Sequence, residues 1–345
     1  NASLGTVGAV ADRLGTEVYV VGGYVRDLLL GREVKDTDVT VIGDGVAFAR
    51  EAAEALGVRS VVVFEKFGTA MVPYGEGKIE FVAAREESYS KDSRKPEVKR
   101  AALSADLSRR DFTVNAIAAS LNAGRFGEIV DPFDGQADLA AGLLRTPLEP
   151  RKTFDDDPLR MMRALRFAAQ LQFRIQPEAL TAIGEMADRL AIVSRERITD
   201  EFMKILSSPK PSVGLSLLQK TGLTKHVFPE LSDMVGVEQR KDYHHKDVFL
   251  HTLKVVDNIC ETTDDVWLRF AALVHDIAKP RTKAFKEGIG WTFHGHEDLG
   301  AHMMKSVFRR LRLPMDKLPY VEKLVRLHLR PMVLVSEEIT DSAVR

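Results

Sequence analysis

The chain has one cysteine, Cys260, in 345 residues. No disulfide framework can form within it, and so few thiols fit a reducing compartment, so a cytoplasmic location is expected. No apolar run is long enough to span a bilayer and no signal peptide is visible, so no membrane partner is expected. Excess charge of either sign is missing too: 49 Lys and Arg against 50 Asp and Glu leave a formal net charge of −1. Global charge therefore points to no partner, and any nucleic-acid surface has to be local. What is present is an ordinary globular composition, 45% hydrophobic and 29% charged, in a chain long enough for two or three domains. The first residue is not methionine, and Ser336 to Arg345 reads as the start of a helix, so residues are expected beyond both ends.

The most informative stretch is Val18 to Ile42, VYVVGGYVRDLLLGREVKDTDVTVI. A short β-type run leads into Gly22 and Gly23. Val25, Arg26 and Asp27 then open an apolar segment that Gly31 closes. A second strand starts at Asp36 and Asp38, whose spacing of two puts both carboxylates on one face. Like charges held that close repel unless a cation lies between them, and carboxylate oxygens suit Mg²⁺. A glycine turn ahead of a helix offers backbone N–H groups to phosphate. The combination points to a nucleoside triphosphate held by metal. Glu80, in the β-like run Lys78 to Ala83, is a third carboxylate suited to the same site.

The chain around that stretch reads as a small mixed sheet with flanking helices. Residues Asn1 to Leu14 and Val46 to Leu56 read as helices. Ser60 to Phe64, Thr69 to Pro73 and Lys78 to Ala83 read as strands. Arg85 to Leu107 is polar and charged, and is expected to be a mobile loop beside the site. Arg109, Arg110, Asp111 and Asn115 follow in what reads as an apolar helix. Arginines grip phosphate with a fork of donors, while Asp and Asn suit ribose hydroxyls. Ile129 to Gln136 reads as a strand and turn closing the first domain.

Further on, Asp155, Asp156 and Asp157 precede Pro158 and suit the first turn of a helix. Arg160, Arg163 and Arg166 recur every three residues near one face, opposite Met161, Leu165 and Ala168. An Asp that accepts beside an Arg that donates matches the amino group and ring nitrogen that cytosine and adenine share. Ser194 to Glu201 reads as a charged helix start. His251, His275, Asp276 and His296 lie in a helical C-terminal region with His294 and His328. Dispersed histidines with a His-Asp pair can hold a divalent metal. From Lys305 to Arg330 basic residues outnumber acidic ones, a candidate surface for phosphate backbones.

Together these motifs resemble the class II tRNA nucleotidyltransferases, the CCA-adding enzymes, and their relatives the bacterial poly(A) polymerases. The match runs from Val18 to about Leu206, in the family's order. Gly22-Gly23-x-Val25-Arg26-Asp27 with Asp36-x-Asp38 resembles the nucleotidyltransferase motif. Arg109-Arg110-Asp111-Phe112-Thr113-x-Asn115-Ala116 resembles the ribose-contacting motif. Asp157-Pro158-Leu159-Arg160-x-x-Arg163-Ala164-x-Arg166 resembles the helix that selects the base, with Asp156 where the family often has Glu. Arg195-Glu196-Arg197-Ile198-x-x-Glu201 resembles the motif bracing that helix. From His244 onward the chain resembles HD phosphohydrolases at His251, His275 and Asp276, and the later Asp of that pattern is not identifiable.

The resemblance implies an α+β chain: a polymerase-β-like head in residues 1–145, a helical neck and body in 146–240, and an HD-type helical domain in 241–345. It implies addition of CCA to tRNA 3′ ends from CTP and ATP, with two Mg²⁺ on Asp36 and Asp38. The implied alternatives are poly(A) synthesis, addition of A alone, or hydrolysis at an additional divalent metal in the HD region. The polar segment 85–107 resembles the family's flexible loop that goes with adding the terminal A.

Overall fold

The computed structural model describes residues 2–34, 36–65, 68–90, 93–238 and 247–330, without the side chains of 86–100. The expected helix start at Ser336 to Arg345 lies outside the described residues. The chain divides into two compact units. The first holds Asn1–Arg160 with Arg174–Ala182; the second holds Met161–Phe173 and resumes at Ile183.

In the first unit the elements run α1 (Ala2–Leu14), β1 (Val18–Val21), α2 (Gly23–Leu29), β2 (Asp36–Val41), α3 (Gly45–Ala55), β3 (Val62–Phe64), β4 (Thr69–Tyr74) and β5 (Gly77–Ala83). Then come β6 (Arg85–Ser90), β7 (Ser93–Arg100), α4 (Leu103–Ser108), β8 (Ala118–Ser120), β9 (Ile129–Val130), α5 (Gly135–Ala141), β10 (Leu143–Leu144) and α6 (Pro150–Asp156). The helix α7 (Leu159–Leu171) begins in this unit, and β11 (Arg174–Ile175) pairs with β10 in parallel.

Seven strands form one sheet in the order β3-β4-β5-β2-β1-β8-β9. The pair β2–β5 is parallel and the others are antiparallel. The β-branched run of β1 suits a central strand, buried along its whole length. Alternation sorts the side chains of β2 and β5. Val39, Val41, Ile79 and Phe81 are buried, and Phe81 meets Phe48 of α3 with ring centroids 5.7 Å apart. Burying a phenylalanine stabilises by about 1.5–3 kcal/mol. Asp44 caps α3, accepting from the Val46 and Ala47 amides at 3.1 and 3.0 Å. The opposite parity, Asp36 and Asp38 on β2 with Lys78 and Glu80 on β5, is left for the site.

Three expectations change here. Residues 85–100 are not a loop: β6 and β7 pair as an antiparallel hairpin, with Arg85 opposite Arg100 and Glu87 opposite Val98. Such a ribbon satisfies its amides by backbone pairing, so polar composition does not reveal it. The segment's end belongs to the core, because Leu107 of α4 is fully buried with Tyr19, Val21, Ala116 and Ala118. The stretch Arg109 to Ala116 is not a helix either. After α4 the chain extends at Phe112 and makes one 3₁₀ turn at Thr113–Asn115 before β8. Finally, Asp155 and Asp156 end α6 and do not open α7; Asp157 alone sits at the start, accepting from the Leu159 amide at 3.2 Å.

The helix α8 (Pro177–Glu185) leads into the second unit, which is mainly helical: α9 (Arg195–Leu206), α10 (Pro211–Lys220), α11 (Thr224–Val227), α12 (Pro229–Asp233), α13 (Val248–Cys260), α14 (Val266–Val274) and α15 (Lys279–Thr282). A small hairpin, β12 (Ala284–Lys286) and β13 (Gly290–Thr292), precedes α16 (His296–Leu311) and α17 (Leu318–Leu327). Phe228, Phe270 and Phe308 are fully buried at its centre, with neighbouring centroids 6.2 and 5.7 Å apart. Among the described residues no helix is long and apolar enough to cross a membrane.

Candidate active site

The first centre stands on the sheet face of the first unit. Asp38 lies directly opposite Glu80 across the parallel β2–β5 pair, and Asp36 opposite Lys78. Burial raises the Asp38 carboxyl, and the charge of Asp36 adds to it against Arg110 and Lys78. Burial also raises Glu80, with Asp38 as the next cause. Lys78 Nζ stands 3.9 Å from Glu80. Three carboxylates on one face, two of them raised above their ordinary range, form an oxygen-donor set short of positive charge. That set fits a hard divalent cation such as Mg²⁺.

Beside them is a network that draws on three separate stretches of sequence. Gly22 has φ of +71°, and a Cβ there would stand 2.7 Å from Arg110 Nη1. The glycine thus leaves the space that the guanidinium occupies. Arg26, largely buried, donates from Nε and Nη2 to Asp27 at 2.8 and 2.7 Å, and from Nη1 to Asn115 Oδ1 at 2.7 Å. Asn115 Nδ2 donates to Asp111 Oδ1 at 2.9 Å, which also accepts from the Phe112 amide at 2.9 Å. Gly23 lies within 3.5 Å of Arg26 Nη2, measured from where its Cβ would be.

Sequence reasoning missed the residue that holds the paired arginines. Asp106 is 1% exposed. It accepts from Arg109 Nε and Nη2 at 3.1 and 2.8 Å, and from Arg110 Nη2 at 3.3 Å. Burial alone would raise its carboxyl, yet Arg109 and Arg110 outweigh that and hold it below the ordinary range. Its spacing of three and four before the arginines was the available signal, hidden by reading the segment as a loop. Arg160 joins the same network, donating to the Arg109 carbonyl at 2.5 Å and the Thr153 carbonyl at 3.2 Å. Asp156 ends α6 one residue before Asp157.

Arg163 and Arg166 fall in the second unit. Both guanidinium groups lie near the Phe167 ring, at 5.4 and 4.2 Å from its centroid. Arg166 Nη1 also donates to the buried Glu201 at 3.1 Å, the contact expected of the bracing motif.

The second centre, also in the second unit, gathers around Asp276, 1% exposed. His275 Nε2 lies 3.1 Å from its carboxylate, His296 Nε2 3.2 Å, His328 Nε2 3.7 Å and His251 Nε2 3.9 Å. Lys279 Nζ is at 2.7 Å. The Nδ1 atoms of His275, His296 and His328 face the carbonyls of Ala272, Phe293 and Val325 at 2.7–2.8 Å. A carbonyl only accepts, so each Nδ1 carries a proton, and a ring in that neutral tautomer turns its Nε2 lone pair inward. His296 and His328 bring those atoms within 3.3 Å of each other. Lone pairs converging on a carboxylate need a proton or a metal ion between them, and backbone-anchored imidazoles are how proteins orient metal ligands. Burial lowers His328, which disfavours a proton there. Two ligand sets result, His251–His275–Asp276 and Asp276–His296–His328. The sequence reading included His251, His275, Asp276 and His296 but not His328, which closes the site from the end of α17. His294 is exposed and stands outside both sets.

The sheet, its carboxylates and the arginine network define a nucleotidyltransferase head. Residues 18–145 match the poly A polymerase head domain, 172–234 the probable RNA and SrmB-binding site of polymerase A, and 248–344 the HD domain. The chain belongs to the multifunctional CCA protein family of tRNA nucleotidyltransferases. The multifunctional CCA protein of Nitrosococcus oceani is 36% identical over 312 residues, 86% of this chain and 71% of that protein. That of Ralstonia nicotianae is 36% identical over 315 residues, 88% and 70% respectively. Among solved structures, a tRNA-processing enzyme complex superposes with a TM-score of 0.71 at 27% identity, covering 98% of this chain and 82% of that one. A tRNA nucleotidyltransferase complexed with a primer tRNA and an incoming ATP analog superposes at 0.66 and 27% identity, covering 96% and 97%.

Proposed function

We infer that this chain extends tRNA 3′ ends by C, C and A from CTP and ATP, in the cytoplasm. The observation that supports this most is the Asp38–Glu80 pair facing Arg110 beside Gly22. In the reaction the primer 3′-hydroxyl oxygen attacks the nucleotide α-phosphorus, and pyrophosphate leaves. Asp36, Asp38 and Glu80 would hold two Mg²⁺ ions, which when bound lower the pKa of the hydroxyl and neutralise the leaving group. Arg110 takes triphosphate oxygens. Arg26, Asp27, Asp111 and Asn115 form the buried floor that fixes the turn at Gly22 and Gly23. Asp106 positions Arg109 and Arg110. Asp157 and Arg160 read the base, Asp accepting from its amino group and Arg donating to its ring nitrogen. For that, Arg160 exchanges its bond to the Arg109 carbonyl for one to the base.

The test offers CTP and ATP, singly and together, to tRNA lacking all three terminal nucleotides, lacking only the last, and complete. Repair of both shortened forms followed by arrest supports CCA addition. Extension of only the CC-ended form, by one A, assigns an A-adding enzyme; a long A tract on any end assigns a poly(A) polymerase.

The imidazole cluster favours a second reading beside the first, a metal-dependent phosphohydrolase. His251, His275, Asp276, His296 and His328 would hold the metal, and a nitrogen-rich set suits Zn²⁺, Ni²⁺ or Mn²⁺ better than Mg²⁺. Hydrolysis of a chromogenic phosphodiester that responds to such ions and disappears in Asp276→Asn would support it. No hydrolysis with any of them would reject it.

A further inference from the structure

The second unit carries a feature that neither centre uses. An open cavity of about 760 Å³ lies between the outer face of α16 and the start of α9. Arg195, Lys305, Arg309, Arg310 and Arg312 line it, with His302 and Ser306. Residues 302, 305 and 309 recur at helical spacing along one side of α16 and Arg312 follows just past its end, while Met304, Val307, Phe308 and Leu311 are buried on the other side. Among the described residues, no carboxylate and no Phe, Tyr or Trp lines the cavity.

The charges are only partly matched. Arg310 is paired with Glu230, and Arg312 lies 3.7 Å from Glu196. Lys305 and Arg309 are exposed, with no carboxylate within 4 Å among the described residues. The negative end of α16 favours Arg309 and Arg310. Arg195 has no such help. It is the first residue of α9, where the helix end is positive, and its Nη1 is tied down to the His226 carbonyl at 2.8 Å. Burial and the charge of Arg310 both work against its charged form. A cation fixed there, against its local field and beside other cations, is stabilised by an incoming polyanion.

We propose that this cavity binds the sugar-phosphate backbone of RNA, gripping the body of the tRNA substrate. The absence of Phe, Tyr and Trp from the lining, where His302 is the one ring, argues for phosphate contact more than base stacking, and several cations spread along a helix suit a chain of phosphates better than one small anion. Arg195 lies in the 172–234 segment that matches a probable RNA-binding site, so the α16 face continues a surface of the same kind. The partner's identity rests on the tRNA reading above.

The test measures binding of labelled CC-ended tRNA at several salt concentrations. It compares wild type with Lys305→Glu/Arg309→Glu and the milder Lys305→Gln/Arg309→Gln. Both side chains are exposed, so both variants should melt with wild type. The expected result is a loss of affinity of about tenfold or more for the charge reversal, and a log K against log salt slope shallower by about two in both variants. Unchanged affinity and slope in both would overturn the proposal. So would displacement of inorganic pyrophosphate from the cavity with tRNA binding intact, which would assign a small-anion site. A wild type that binds and extends tRNA while the variants match it sinks this surface alone. A wild type that does neither sinks the function reading instead.

Discussion

In the first unit Asp38 and Glu80 are carboxylates pushed above their ordinary range, chiefly by burial. In the second unit Asp276 is also buried, yet it is held below that range. Burial pushes all three the same way. What differs is the company. Asp38 shares a sheet face with two more carboxylates, whereas Asp276 stands alone among histidines and Lys279. The first centre is rich in oxygen donors and short of positive charge; the second offers several nitrogens to one carboxylate. By donor chemistry the first set suits hard cations and phosphates, and the second suits a softer ion.

The sharpest way to break that contrast is to remove one side of it. Asp38→Ala should lower the nucleotide incorporation rate on the order of 10⁴-fold, about 5 kcal/mol at roughly 1.4 kcal/mol per decade. Any phosphodiester hydrolysis shown by wild type should persist in the variant. If primer extension survives, the sheet-face carboxylates are not the catalytic centre. If hydrolysis falls in parallel, the two centres are not independent.

The next largest effect concerns a carboxylate resembling Asp276 in its company but lying in the first unit. Asp106→Asn leaves Arg109 and Arg110 without their buried counter-charge and should cost about 3–5 kcal/mol in denaturant unfolding. The pH dependence has a definite sign. Two arginines hold the folded carboxyl below the ordinary value of 3.8. Its contribution is therefore present above the unfolded pKa and is lost as pH falls through the folded one. The gap between wild type and variant should be widest near neutrality and close below about pH 4. A gap that does not change with pH would mean Asp106 acts by packing alone.

Much of this was legible in the sequence because local rules and the fold agree. Alternation in β2 put Asp36 and Asp38 on one face without reference to tertiary structure, whereas Glu80 was a candidate third carboxylate whose place opposite Asp38 comes from the β2–β5 register. His251, His275, Asp276 and His296 stood out by residue type. What escaped has physical reasons. The hairpin at 85–100 forms by backbone pairing, which leaves no hydrophobic period to read. Arg109 to Asn115 looked helical because its apolar residues are core residues, but Phe112 is extended. Asp106 has its partners three and four residues on, but its segment reads as a loop; His328 gains its role at a helix end from partners distant in sequence, and a single His carries no period of its own. The arginine repeat in α7 was read as one face, yet Arg160 bonds to carbonyls of the first unit and Arg166 to Glu201 of the second.

A smaller effect sharpens the comparison from the other side. His328→Ala removes one inward lone pair from the Asp276 centre. Affinity for Zn²⁺ or Ni²⁺, measured by calorimetric titration, should drop about a hundredfold, while primer extension with Mg²⁺ stays at the wild-type rate. Unchanged metal affinity would restrict the ligands to His251, His275 and Asp276.

The smallest effect expected tests how closely the arginine network packs against the backbone. Gly22 holds φ of +71° and ψ of −131°, a conformation that side chains rarely adopt. Gly22→Ala adds backbone strain of about 1–3 kcal/mol. It also places a methyl group where Arg110 Nη1 lies, 2.7 Å from the new carbon. Arginine is flexible, so the guanidinium can retreat, but it then leaves the position facing Asp38. The variant should melt at a lower temperature and show a raised KM for nucleotide, with binding of tRNA unchanged. Loss of stability with KM intact would separate the two effects: the turn would need its glycine for backbone reasons only, and Arg110 would reach the phosphates from elsewhere. A raised KM that Arg110→Lys reproduces in the wild-type background would tie the glycine to the arginine, and through it to the raised carboxylate of Asp38.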